Sequence, residues 1–292
     1  MNRADSQALL ALPIILAVGA AVAFAGADGS RLFAGQPAFL WCAVLAFGIN
    51  WLVFVPSFLT RTERFFDLTG SLTYLSTVAF ALFVVGDPTP RSLLLGGLIA
   101  LWAGRLGIFL FRRVSRDGED RRFREIKQSF PRFLMAWTLQ GLWVLLGAGC
   151  ALTAMTSSHE APLGVFAAVG TALWVGGFVV EAVADRQKTA FNADPEKRGT
   201  FIHSGLWAWS RHPNYFGEIV LWFGIAVIAF PVLQGWQYAL LISPLFVYVL
   251  LTRISGVPLL EARGRKKFGH LEEYQQYVER TPALWPRPPR RA

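Results

Sequence analysis

Long apolar runs dominate the chain, and polar positions gather in clusters between them. Nearly charge-free stretches cover about 8–25, 37–58, 68–86, 92–111, 133–155, 163–183, 215–231 and 236–252. Several approach the roughly 20 residues that a helix needs to cross the hydrocarbon core. Lipid offers no partner to bare N–H and C=O groups, so only helices or closed barrels can span it. The length of these runs and their lack of alternation exclude a barrel. The pattern therefore predicts an all-α, polytopic membrane helical bundle with seven to eight transmembrane helices. The last two runs are short and separated only by "PVLQGW", which leaves open a hairpin that does not fully cross. The first run resembles the apolar core of a signal peptide, but other spans follow it and its basic start is weak, so it is read as a span. No repeat, low-complexity linker or composition break divides residues 1–292, and a single integral membrane domain is expected.

Composition agrees: 54% of residues are hydrophobic and 16% charged, with a mean hydropathy of +0.42. Charge placement adds orientation. Of the 28 Lys and Arg, eight lie between Arg112 and Arg132, five between Arg186 and Arg211 and nine from Arg253 onward, whereas the connections at 156–162 and 231–236 hold none. The positive-inside rule then puts the three basic segments on the cytoplasmic side. The isoelectric point near 10.1 would suit nucleic acid. No soluble domain exists to hold it, so the basic segment 112–132 is expected to meet anionic lipid. Cys42 and Cys150 lie inside apolar runs and read as small core residues.

Ionisable groups inside spans are costly and each needs a partner or a role. Arg105 lies well inside a run, Asp67 begins the third, Glu181 and Asp185 close the sixth, and Glu218 opens the seventh. Glu181, Asp185, Lys188 and Asn192 align on one face of a continuing helix, suited to hydrogen-bonding an amide, ribose hydroxyls or phosphates. The following "NADPEKRGTFIHSGLWAWSRHPNYFGE" gathers Lys197, Arg198, Ser210, Arg211, His212, Asn214 and Tyr215 on a loop before a helix start at Pro213. A polyanionic cofactor suits the free N–H groups of such a start. Glu63, Asp67, Ser71 and Tyr74 are expected on one face of the third helix. There a carboxyl of raised proton affinity, or the Tyr74 hydroxyl, could donate to a carbonyl oxygen; pairing of Asp67 with Arg105 is the other reading. The helical spacing of Phe268, Leu271, Tyr274 and Val278 gives the tail an amphipathic face, and the tail is expected to close the site. No GxGxxG after a strand, P-loop, HExxH or cysteine cluster is present.

"SGLWAWSRHPNYFGEI", an apolar hairpin and then "LLEARGRKKFGHLEEYQQYVERTPALWP" resemble the membrane steroid 5α-reductase family, in a bacterial, DUF1295-like branch, over roughly 180–286. Sterol C14 and C7 reductases are similar over "RHPNYFGE". The resemblance implies NADPH-dependent reduction of the carbon–carbon double bond of a 3-oxo-Δ4 steroid or similar lipophilic enone by a monomer in membrane lipid. It implies that Glu181, Asp185, Asn192, Arg211, Asn214, Tyr215 and Glu218 hold NADPH, with Arg105, Arg263, Lys267 and Tyr274 adding contacts. The family's substrate acid is a Glu in a Gln-Glu-Leu-Pro stretch; here "FDLTGS" puts Asp67 in its place, with Glu63 nearby. The family's catalytic Tyr comes one helix later, where this chain has Trp102, and Tyr74 is substituted on geometry. Isoprenylcysteine and phospholipid methyltransferases share a looser "RHP" loop, so S-adenosylmethionine-dependent methyl transfer is the alternative.

Overall fold

The structure, a computed structural model, describes residues 3–117 and 123–289. Residues 118–122 of the basic segment and the end of the basic tail, 290–292, lie outside the described residues. Helices α1 (Arg3–Ala27), α2 (Ala38–Leu59), α3 (Phe66–Val85), α4 (Pro90–Asp117), α5 (Phe130–Gly147) and α6 (Gly149–Thr156) are followed by α7 (Val165–Ala193), α8 (Pro213–Ala229), α9 (Ile242–Val249), α10 (Val257–Phe268) and α11 (Glu272–Arg280). A two-residue hairpin, β1 (Leu32–Phe33) with β2 (Gln36–Pro37), joins α1 to α2. Among the described residues seven helical runs are long and apolar enough to cross a membrane, or eight if α5 and α6, bent by 58°, form one span. The chain is an integral membrane protein of the all-α, polytopic kind, as its hydrophobic pattern predicts.

The chain forms two compact units: Met1–Ala167 with Ile228–Ser243, and Ala168–Val227 with Pro244–Ala292. In the first, the fifth predicted run breaks at Gly147-Ala148-Gly149, where two glycines weaken the helix. A break frees a backbone N–H that lipid cannot satisfy. The Ser243 hydroxyl accepts it from Cys150 at 3.2 Å, and the Cys150 thiol donates to the Leu240 carbonyl at 2.7 Å. Between α2 and α3, Asn50 donates to Ala46 O at 2.8 Å and to the Thr73 hydroxyl at 3.2 Å, polar glue of the kind that membrane helices use. Phe54, Phe123, Phe133 and Trp137 form a buried aromatic cluster at one end of the unit. The "PVLQGW" break is a 3₁₀ turn at Phe230–Val232, then Gln234 and Gln237 capping each other's backbone at the start of a second 3₁₀ turn, Gly235–Leu241.

In the second unit α7 and α8 touch backbone to backbone. A Cβ at Gly217 would lie 2.5 Å from Gly177 O, and one at Gly224 would lie 2.5 Å from Gly170 O. Both helices place their glycines seven residues apart, so the contact repeats after two turns. This close approach fixes the spacing between the end of α7 and the start of α8, which carry most of the predicted polar residues.

Candidate functional site

In the second unit, α7 does continue past the apolar run to Ala193, carrying Glu181, Asp185, Lys188 and Asn192 on one helix as predicted. Glu181 is buried, Asp185 and Lys188 are half-buried and Asn192 is exposed. The Lys188 ammonium sits 4.6 Å over the Trp207 ring, and the Trp207 indole N–H donates to Ala184 O at 3.1 Å. Gln187 accepts the Leu206 N–H at 3.0 Å. These bonds strap the loop to the helix. Lys197 pairs with Asp194 at 2.9 Å, and that hydrogen bond holds the Asp194 carboxyl below the usual carboxylate range.

At the helix start, Pro213 takes the first position of α8. Asn214 Nδ2 donates to Asp185 Oδ1 at 3.2 Å, joining α8 to α7. Arg211 and His212 converge on one carboxylate oxygen: Arg211 Nε donates to Glu261 Oε1 at 2.9 Å, and His212 Nε2 lies 2.9 Å from the same atom. Arg211 Nη1 donates to the carbonyls of Val278 and Thr281, at the end of α11, where a cation also complements the negative helix terminus. Ser210 donates to Leu284 O at 2.8 Å and accepts the His212 N–H. Arg211 and Ser210, expected to hold a cofactor, hold the tail against the loop in this structure. An arginine's fork fits carbonyls as readily as phosphates, and here the carbonyls come from the same chain.

The tail reads differently from its predicted single face. Gly269–Leu271 break it into α10 and α11, so Phe268 and Tyr274 sit on separate helices and meet as rings 5.8 Å apart. Phe201 joins them, 5.1 Å from Tyr274 and 5.3 Å from Tyr277. Burial pushes both phenols above their usual range, so both keep their protons at neutral pH. Tyr277 donates to Trp207 O at 2.7 Å. Arg263 and Lys267 stay exposed on α10. Tyr215 stacks on His212 at 5.7 Å, and Glu218 is half-buried one turn further along α8.

Three acceptor atoms of this cluster are buried without a hydrogen-bond partner: His212 Nδ1, Asn214 Oδ1 and Glu261 Oε2. His212 is 5% exposed, and burial keeps its imidazole below the usual range, hence neutral at pH 7. The contact to Glu261 makes Nε2 the protonated nitrogen, leaving Nδ1 a bare acceptor. Each such atom costs about 1–3 kcal/mol while unsatisfied. Sequence reasoning passed over Glu261, Gln187 and Tyr277. Glu261 had a signal, a lone carboxylate between the apolar "VPLL" and the basic "RGRKK".

The catalytic candidates belong to the first unit. Asp67 is half-buried in the first turn of α3, and Tyr74 is buried with its ring 5.2 Å from Trp102 in an edge-to-face contact. Arg105 is half-buried on α4. A Cβ at Gly107 would meet the Ser71 side chain at 2.7 Å, so α3 and α4 approach closely there. Glu63 departs from the expected stripe. It precedes α3, because the chain turns at Arg61, whose φ is 53°, and its buried carboxylate accepts from Lys127 at 2.7 Å. Among the described residues no group of three or more His, Cys, Asp or Glu could hold a metal ion.

The family described as "Protein of unknown function (DUF1295)" matches residues 53–281. A Schizosaccharomyces pombe protein described as "Uncharacterized protein C594.04c" is 24% identical over 220 residues, covering 65% of this chain and 62% of its own length. No solved structure matches the chain.

Proposed function

The chain belongs to the DUF1295 family, and from the resemblance of its "RHPNYFGE" segment to the reductases and the chemistry of the second unit we propose that it is an NADPH-dependent reductase of a lipophilic enone, of the steroid 5α-reductase type. The observation that carries this reading is the trio of buried, partnerless acceptors on His212, Asn214 and Glu261. NADPH offers what they lack, in its ribose hydroxyls, carboxamide and adenine amine. Glu181 and Asp185 lie on the neighbouring α7, where Asp185 accepts from Asn214. The exposed Arg263 and Lys267, with Lys188, supply positive charge for phosphates. S-adenosylmethionine carries no phosphate and would leave that charge unused, which favours NADPH. When bound, NADPH supplies the hydride. The chain's own share is to hold the nucleotide, keep out water and donate to the substrate oxygen, a role we assign to Asp67 or Tyr74.

The test uses detergent-purified protein. NADPH should raise the melting temperature more than S-adenosylmethionine does, and NADPH absorbance should fall when progesterone is added. Asn214→Ala should weaken the NADPH shift about tenfold in concentration, whereas Asp67→Asn should stop turnover with the shift intact. Stabilisation by S-adenosylmethionine alone would defeat the reading in favour of methyl transfer.

A further inference from the structure

In the first unit, a second arginine is buried under different terms. Arg91, the second residue of α4, is 3% exposed. Its guanidinium donates to the carbonyl of Ile228, to Pro162 O at 2.8 Å and to Ala161 O at 3.5 Å. All three acceptors are neutral, and among the described residues Arg91 has no ion-pair partner. Its Nε–H is buried and makes no hydrogen bond. A buried guanidinium without a counter-charge is expensive.

The nearest carboxylate in sequence to these carbonyls is already committed. Glu160 pairs with Arg31, whose Nε also donates to Ser157 O at 3.2 Å. Arg31, Arg91 and Glu160 line one small cavity together with Thr89, Ser92 and His159, leaving two guanidiniums against one carboxylate. The cavity adds a positive helix end. Thr89 caps α4, accepting the Ser92 N–H at 3.1 Å, and its hydroxyl lies 3.0 Å from that of Ser92, so one of these two hydroxyls has a proton to give elsewhere. The space available to the centre of a water-sized occupant is about 10 Å³, the size that holds one such particle.

We propose that this cavity binds a single small anion of halide size, held by Arg91 Nε–H and a Thr89 or Ser92 hydroxyl, which neutralises the surplus guanidinium. Excess charge distinguishes it from a structural water: a water would satisfy Nε–H but leave the net positive charge buried. The proposal is independent of the cofactor reading, since it uses none of the same residues.

The experiment compares melting of the detergent-purified protein in sodium chloride and in sodium gluconate at equal ionic strength. Chloride should raise the melting temperature by about 3 °C with saturable dependence, and Arg91→Gln should abolish the difference. Bromide in place of chloride should give an anomalous density peak beside Arg91 Nε in crystals of the unmodified protein, a readout that survives if Arg91→Gln does not fold. Equal melting in the two salts, or a water with no anomalous signal at that position, would overturn the proposal.

Discussion

Arg211 and Arg91 do the same job in two regions and are balanced differently. Each guanidinium gathers main-chain carbonyls from segments distant in sequence: Val278 and Thr281 for Arg211, Ile228 and Pro162 for Arg91. Arg211 has a carboxylate at 2.9 Å, shared with His212. Arg91 has carbonyls alone. Hydrogen-bond geometry is thus satisfied in both places, while charge is balanced within the chain in only one. The lesson is that satisfying donors and neutralising charge are separate requirements. Where the second is unmet, something from outside the chain is called for.

The strongest way to break the contrast is to separate the helices that carry the balanced site. Gly217→Leu would drive a side chain into the Gly177 carbonyl 2.5 Å away, contact between two main chains that no rotamer change relieves. We expect loss of folded protein, read as aggregation on size-exclusion chromatography, with no such outcome for Gly48→Leu, whose Cβ meets nothing within 4 Å. Next in size, Glu261→Ala makes Arg211 resemble Arg91, a buried guanidinium left with carbonyls only. Both side chains are 14% exposed, so the loss should approach the about 3–5 kcal/mol of a broken buried pair. It should also change the loop–tail assembly from insensitive to sensitive to chloride. If Glu261→Ala melts like the parent, the carboxylate is not what distinguishes the two arginines.

His212 sharpens the comparison through pH. Its folded imidazole ionises below the ordinary value because burial disfavours the charged form, outweighing the attraction of Glu261. A depressed pKa means that the unfolded chain binds the proton more readily. The stabilisation is therefore complete above the ordinary value of 6.5 and is lost as pH falls below it, with a slope of at most about 1.4 kcal/mol per pH unit. Melting should drop between pH 7 and pH 5, and His212→Gln should flatten that drop. An unchanged profile in the variant would remove His212 as its source.

The spans were legible because the bilayer imposes one length and one composition on every crossing helix, and α7 was legible past its apolar run because Glu181, Asp185, Lys188 and Asn192 keep helical spacing. The start of α8 at Pro213 was announced by proline chemistry. What could not be read was where a long polar side chain ends. Arg211 looks identical in sequence whether its fork meets a phosphate or the carbonyls of Val278 and Thr281, which lie 67 and 70 residues away. Glu63 has helical spacing to Asp67, yet a left-handed residue at Arg61 and the reach of Lys127 decide its place. The glycine pairs of α7 and α8 carry no mark of their partner in a one-dimensional pattern, and the bend at Gly147-Ala148-Gly149 lies within an unbroken apolar run.

The smallest effect tests whether the loop–tail assembly depends on charge at all. Tyr277 donates a neutral hydrogen bond to Trp207 O at 2.7 Å from a half-buried ring. Tyr277→Phe keeps the ring and its packing against Phe201, 5.3 Å between centroids, and removes only the donor. The expected loss is about 0.5–1.5 kcal/mol, the usual net worth of such a bond, and it should be the same at low and high salt. Glu261→Ala alters a charge and should respond to salt; Tyr277→Phe should not. Were the two variants to share one salt dependence, the tail would be held by general electrostatics rather than by the Arg211–Glu261 pair, and the distinction drawn between Arg211 and Arg91 would lose its footing.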